Sequence, residues 1–97
     1  MSVAKVVRLY PVSYWEWEME VPEGAEAVGL VADENGRPMM VMVEDSDPSI
    51  PVWIRKFWTV ALGESIPRSR VQYVGTFVGD IFAGCRFGVR QFVFEII

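Results

Sequence analysis

The sequence contains no histidine and only one cysteine, Cys85. Without histidine, Ser-His and Cys-His nucleophiles, imidazole general bases and imidazole metal ligands are all excluded. A single cysteine cannot form an intrachain disulfide, and this usage fits a reducing cytosol. The neighbouring Arg86 could activate the thiol, but no base accompanies it, so we interpret Cys85 as a small apolar or loop residue. The sequence therefore predicts a protein that is not an enzyme.

Long hydrophobic runs and an excess of basic charge are also absent. No apolar run approaches the ~20 residues of a membrane span, and Lys5 and Arg8 interrupt any signal-peptide core near the N-terminus. The net charge of −4 disfavours general binding to duplex nucleic acid, which needs a basic surface. We expect a cytoplasmic protein without a membrane or duplex nucleic acid as partner.

Apolar residues are abundant for a chain of this length. They make up 52% of the 97 residues, and each of the thirteen aromatic side chains can bury about 150–250 Å². We therefore expect a single domain over residues 1–97 that needs neither disulfide nor metal. The surplus of apolar surface predicts a partner or a homo-oligomer, most simply a dimer.

Short β-branched and aromatic segments, separated by Pro, Gly and acidic turns, predict strands and no long helix. The cleanest alternation is residues 14–21, where tryptophan, methionine and valine alternate with glutamate. The predicted strands cover residues 3–12, 14–21, the two arms of a hairpin over 27–43, 52–62, 70–78 and 87–97. Residues 79–86 predict a loop or a single helical turn. About seven strands indicate an all-β fold, either a small antiparallel β-sandwich or a partly open barrel.

Asn35-Gly36 is the strongest local signal and predicts a hairpin with a type I′ turn, which needs positive φ at both residues. That turn would place Leu30 opposite Val41. The other face of the hairpin is apolar as well and carries Val31, Met40 and Met42. A strand pair that is apolar on both faces needs a second sheet on one side and a loop, a strand or another chain on the other.

The tryptophans and methionines are the best functional signal. Trp53, Phe57 and Trp58 occupy both faces of the strand over 52–62, and exposed Trp and Met are enriched at protein interfaces. Beside them, a row of glutamates either forms a solvated face or imitates phosphates and docks on a basic site. The predicted partner-binding residues are Trp15, Trp17, Glu16, Glu18, Glu20, Met40, Met42, Trp53, Phe57 and Trp58.

Other charged and glycine-rich segments offer alternatives. Four arginines, Arg68, Arg70, Arg86 and Arg90, are either exposed solubility charges or the lining of a pocket for a nucleotide-like anion. The loop with Glu44, Asp45 and Asp47 has oxygen ligands for a cation, but local turn hydrogen bonds explain it better. Gly79 and Gly84 have the spacing of a phosphate loop without its Lys-Ser/Thr ending, so that interpretation is rejected. No metal or cofactor is predicted.

Three motifs carry a resemblance. They are the P-E-G-A turn at 22–25 that leads into V-G-L-V, the N-G-x-P turn at 35–38, and the closing pair Y-V-G-T-F (73–77) and F-V-F-E-I (92–96). Their order and spacing resemble a family of small uncharacterised proteins common in phage and prophage genomes. The resemblance implies the same strand order and a phage origin, and it transfers no activity or catalytic residue.

The function expected from the sequence is that of a non-enzymatic, phage-type accessory protein. In the host cytoplasm it would bind a host protein through the aromatic and methionine surface, flanked by acidic residues, and inhibit it, with toxicity to the host. One alternative is a homo-oligomer that sequesters a nucleotide-like anion. Another is a minor structural protein of the virion.

Overall fold

The computed structural model describes residues 4–79 and 88–97, and within them it contains strands and no helix. The strands are β1 (Lys5–Pro11), β2 (Trp15–Pro22), β3 (Glu26–Ala32), β4 (Pro38–Asp45), β5 (Val52–Ala61), β6 (Val71–Val78) and β7 (Arg90–Ile96). Each falls within or within one residue of a predicted segment, except that β4 continues two residues beyond the predicted hairpin arm, to Asp45. The loop or helical turn predicted at 79–86 lies outside the described residues, apart from Gly79. That segment includes Cys85 and Arg86.

The seven strands form two antiparallel sheets. Sheet A has the order β1-β4-β3, and sheet B has the order β2-β5-β7-β6. The sheets stack as an open β-sandwich, which confirms the predicted sandwich and not the barrel. Alternate side chains of both sheets meet in the core between them, where the fully buried apolar residues are Val21, Met40, Met42, Phe57 and Val93.

The register of the β3–β4 hairpin differs by one residue from the prediction. Leu30 pairs with Met40, and Val31 pairs with Met39, so the predicted Leu30–Val41 pair is wrong. Because side chains alternate between the faces of a strand, a shift of one residue turns each β3 side chain to the opposite face relative to β4. Leu30 and Met40 thus share the core face.

The turn of this hairpin explains the shift. Asp33 Oδ1 accepts hydrogen bonds from the backbone N–H groups of Asn35, at 2.8 Å, and Arg37, at 2.9 Å. Gly36 has a φ of 78°, whereas Asn35 is not among the residues with positive φ. The loop is therefore a type I turn followed by a glycine bulge, and not the predicted type I′ turn.

Gly75 lies where β6 of sheet B packs closely against β3 of sheet A. The β6–β7 register shifts between Tyr73 and Gly75, so a β-bulge lies next to this glycine. A Cβ built on Gly75 would lie 2.8 Å from Leu30 Cγ. By contrast, β5 pairs with both of its neighbours in constant register around Lys56.

The connection from β5 to β6 crosses sheet B. Both strands are antiparallel to β7 and so parallel to each other, and residues 62–70 must pass over β7 to join them. Arg68, near the end of this connection, lies 3.0 Å from Glu16 and 5.8 Å from the ring centre of Trp58. Since Glu16 and Trp58 face away from the core, residues 62–70 lie on the outer face of sheet B and partly cover it.

Candidate functional site

One end of the β2–β5 pair projects beyond the rest of sheet B. β2 pairs with β5 from Trp15–Thr59 to Pro22–Val52, but β7 pairs with β5 only from Lys56 to Ala61. Among the described residues, Met19–Pro22 and Val52–Arg55 therefore form a two-stranded projection, which we call the β2–β5 ribbon. Val21 on the inner face of the ribbon is still fully buried in the core, but the absence of a third strand leaves much of the ribbon uncovered by sheet B.

The ribbon exposes three consecutive apolar side chains. Val52, Trp53 and Ile54 are between 57% and 60% exposed. Because side chains alternate in a strand, Trp53 emerges on one face of the ribbon, and Val52 and Ile54 emerge on the other. Large apolar side chains exposed on both faces of one strand are unusual on a small domain and typical of a binding surface.

Carboxylates flank this patch on the neighbouring strand. Glu20 is paired in register with Ile54, and Glu18 with Lys56. Both glutamates are exposed. The acidic row predicted from the sequence is thus present on the outward side of β2, and at Glu18 and Glu20 it borders the exposed apolar residues of the ribbon.

Contacts at the base hold the ribbon in place. Arg55 Nε and Nη2 each lie 2.6 Å from a carboxylate oxygen of Glu95, and Arg55 Nη1 donates to the carbonyl oxygen of Ala25. At the other end, the N–H of Glu23 donates to the carbonyl oxygen of Pro51 at 2.8 Å. The ribbon is therefore fixed at both ends, which lowers the entropic cost of binding.

The remaining tryptophans do not join this patch. The Trp17 ring stacks on Phe57 with centroids 4.8 Å apart, and its Nε1 donates to Thr59 Oγ1 at 2.9 Å. Trp58 lies beneath Arg68 on the outer face of sheet B. Trp17 and Trp58 are therefore engaged within the chain and do not serve as free anchors.

Trp15 forms a second, separate exposed position. It is 66% exposed and has a φ of 54°, a region that bulky side chains rarely adopt and that stores strain. It begins β2, about 20 Å along the strand from Val21 beside Trp53. The two exposed tryptophans consequently cannot contribute to one compact patch.

Three predicted partner-binding residues belong to the core instead. Met40, Met42 and Phe57 are 0% exposed, so their assignment to a partner surface is wrong. The even-numbered residues of β4 face sheet B, and Phe57 faces sheet A from β5. They are buried because the opposite sheet covers that face of each strand. The sequence did not indicate which face is covered, since both faces are apolar.

The predicted arginine pocket does not assemble among the described residues. Arg68 pairs with Glu16, and Arg70 precedes the start of β6. Arg90 Nη1 contacts Thr76 Oγ1 at 3.4 Å. This contact is near the opposite end of β6 from Arg70, and the strand is about 23 Å long. Arg86 lies outside the described residues. Arg68, Arg70 and Arg90 thus do not converge on one anion.

The acidic loop separates into local interactions. Glu44 is buried, where it accepts a hydrogen bond from the Tyr10 hydroxyl and pairs with Arg8 Nε at 3.0 Å. Asp47 accepts two hydrogen bonds from Ser49, one from its backbone N–H and one from its hydroxyl. These bonds, the backbone one foremost, lower the pKa of Asp47. Within residues 4–79 and 88–97, no group of three or more Cys, Asp or Glu is placed to hold a metal ion.

Sequence reasoning missed Val52 and Ile54 as exposed residues. Their exposure depends on β7 ending beside Lys56, and β7 comes two strands later in the chain. The only local signal was the length of β5, which at ten residues exceeds the seven of β7.

Comparisons with known proteins gave no match from which a function could be inferred. No protein-family model matches the chain, no curated protein matches it, and no solved structure matches it. No helix in the part of the chain described here is long and apolar enough to cross a membrane.

Proposed function

We propose that the protein is a non-enzymatic binding module that docks on another protein through the β2–β5 ribbon. The observation that carries this proposal is the exposure of Val52, Trp53 and Ile54 at the end of β5 where, among the described residues, no third strand pairs with the ribbon. Because the ribbon is fixed at its base, these side chains are held in place and can enter a groove on a partner without further ordering.

The chemistry of the ribbon defines the partner. Trp53 and Ile54 are the anchors, because large side chains that fill a pocket supply most of the affinity of an interface. Glu18 and Glu20 lie on the face of the ribbon that carries Ile54, so the complementary surface on that side is an apolar groove rimmed by lysine or arginine. The glutamates steer encounter and select the partner more than they add affinity.

The resemblance to small phage and prophage proteins supplies the biological setting of the proposal. The partner would be a protein of the host cell whose basic-rimmed groove normally receives an anionic or acidic ligand. Occupation of that groove by the ribbon would inhibit the host protein, and toxicity would follow from occupancy and not from chemistry.

The test compares ribbon variants in binding. Tagged wild-type protein and the double variant Trp53→Ala/Ile54→Ser are used to capture host proteins, and the protein retained by wild type alone is then purified and its affinity measured by calorimetry. Loss of both anchors should weaken binding at least about a hundredfold, as expected for two hot-spot residues. Glu18→Lys/Glu20→Lys should mainly slow association and reduce its salt dependence.

Leu62→Ser is the matched control, since Leu62 is the most exposed large apolar side chain described and lies on the crossover connection, away from the ribbon. Circular dichroism establishes that each variant is folded. A host protein that binds the ribbon variants and wild type equally would refute the proposal, and so would loss of binding in Leu62→Ser to the same extent.

A further inference from the structure

The outer face of sheet A is a second apolar surface, distinct from the ribbon. It is formed by the outward-facing residues of β1, β4 and β3, which lie in registered rows across the three strands. Its apolar residues are Val7, Leu9, Pro11, Val31, Met39, Val41 and Val43. Val7, Leu9 and Val31 are between 45% and 63% exposed.

This face carries charge at its two ends and at Glu26, which is paired with Val43 on the edge strand β3. Asp45, opposite Lys5, ends the β4 row on one side. Arg37 precedes Met39 by two residues at the hairpin end and so falls on the same face of the strand. An antiparallel sheet with one face on the core normally has a polar outer face, but β1 and β4 present only apolar residues between Asp45 and Arg37.

We propose that this face binds a second copy of the chain, with the two β4 strands antiparallel and Val41 at the two-fold axis. In that arrangement, Arg37 of each copy lies over Asp45 of the other, so opposite charges meet at both ends of the apolar rows. A parallel arrangement would instead place Asp45 of one copy over Asp45 of the other, where like charges repel.

The size of the face fits a dimer of modest stability. Three short strands present roughly 600 Å² per copy, which gives a total near the lower end of the 1,200–2,000 Å² typical of specific interfaces. Face-to-face packing of two sheets at about 10 Å brings the rows of valine, leucine and methionine into contact.

Such a dimer leaves the ribbons available. The ribbon belongs to sheet B and the proposed interface to sheet A, so each dimer would present two ribbons. The inference does not depend on the proposed function, because self-association can be measured with the pure protein.

Sedimentation velocity over a wide concentration range tests the proposal. Wild type should sediment as a reversible dimer, and Leu9→Glu should raise the dimer Kd at least about tenfold by burying a charge in the interface. Leu62→Glu, at an exposed leucine outside sheet A, should leave Kd unchanged. Asp45→Arg and Arg37→Asp should each weaken the dimer, and the double exchange should restore it.

A crosslinking experiment keeps the test decisive if Leu9→Glu fails to fold. With sheets about 10 Å apart, two cysteines at Val41 are too distant for a disulfide, which needs Cα atoms within about 7 Å, but a short bismaleimide can join them. In a Cys85→Ser background, Val41→Cys should crosslink to covalent dimer, and Leu62→Cys should not. A wild-type monomer at all concentrations, or a dimer that neither Leu9→Glu nor the charge variants weaken, would overturn the proposal.

Discussion

Arg55 and Glu95 form a two-point ion pair on the inner side of sheet B, at the position where β7 ends beside β5. Their side chains are only 22% and 15% exposed. The pair therefore lies in a partly buried environment, where each charge depends on the other for the interactions that water no longer supplies. It also fixes the base of the β2–β5 ribbon.

Removing one charge of this pair should destabilise the fold. Glu95→Gln leaves the Arg55 guanidinium without a carboxylate, and we expect the free energy of unfolding in urea to fall by about 2 kcal/mol. Glu16→Gln is the control, because the Glu16–Arg68 pair is about two-fifths exposed and exposed pairs contribute about 0–1 kcal/mol. Equal losses in the two variants would show that the Arg55–Glu95 pair is no stronger than a surface pair.

Gly75 should tolerate no side chain, because it lies against β3 of the other sheet. A Cβ there would be 2.8 Å from Leu30 Cγ and 3.2 Å from Leu30 N, so Gly75→Ala should cost about 1–3 kcal/mol through overpacking. Gly29→Ala is the matched control, since a Cβ at Gly29 meets nothing within 4 Å. Thermal unfolding midpoints of the two variants provide the comparison, and a stable Gly75→Ala protein would contradict the close packing of β3 and β6.

Substitutions can distinguish the two candidate turn types of the β3–β4 hairpin. Asp33→Ala removes the acceptor of two backbone hydrogen bonds and should cost about 1 kcal/mol. Asn35→Ala should be nearly neutral, because Asn35 does not need positive φ. A type I′ turn predicts the reverse order. Denaturant midpoints of the two variants therefore decide between the two turn types.

Core and ribbon residues should differ sharply in their effect on stability. Phe57 is fully buried and stacks on Trp17, so Phe57→Ala should cost about 3–5 kcal/mol. Trp53 is more than half exposed, and Trp53→Ala should change the free energy of unfolding by no more than about 1 kcal/mol. If Trp53→Ala were as damaging as Phe57→Ala, the ribbon would be part of the core and not a docking element.

The sequence was sufficient for the strands and for the all-β class because both depend on local alternation, but it left the sandwich and the partly open barrel as alternatives. In β2, for example, glutamates alternate with Trp17, Met19 and Val21, and the structure turns the glutamates outward. Features that depend on distant pairing were not predictable in this way. The hairpin register depends on hydrogen bonds to one carboxylate, Asp33.

The candidate site was predicted only in part, for the same reason. Trp53, Glu18 and Glu20 were identified from residue type and alternation. The burial of Met40 and Met42 depends on which face sheet B covers, and the exposure of Ile54 depends on where β7 ends. Both are properties of strand order and register, which a single strand does not encode.

Tyr10 and Glu44 should make the fold sensitive to alkaline pH. The Tyr10 hydroxyl donates a hydrogen bond to the buried Glu44 carboxylate, which also pairs with Arg8. Burial of the phenol, and then its hydrogen bond to Glu44, raise the pKa of Tyr10 from 10.0 to about 12. The neutral phenol is therefore favoured in the folded state, since a phenolate would lose the hydrogen bond and face a carboxylate.

The sign of the pH effect follows from this shift. A group whose pKa is higher in the folded state stabilises the fold fully below its unfolded pKa, and the contribution is lost as pH rises through the folded pKa. We expect the denaturation midpoint of wild type to fall between pH 10 and 12. Tyr10→Phe cannot ionise, so its midpoint should be lower at neutral pH, through loss of the hydrogen bond, but should fall less over this range. Parallel pH profiles for the two proteins would show that Tyr10 does not couple its ionisation to folding.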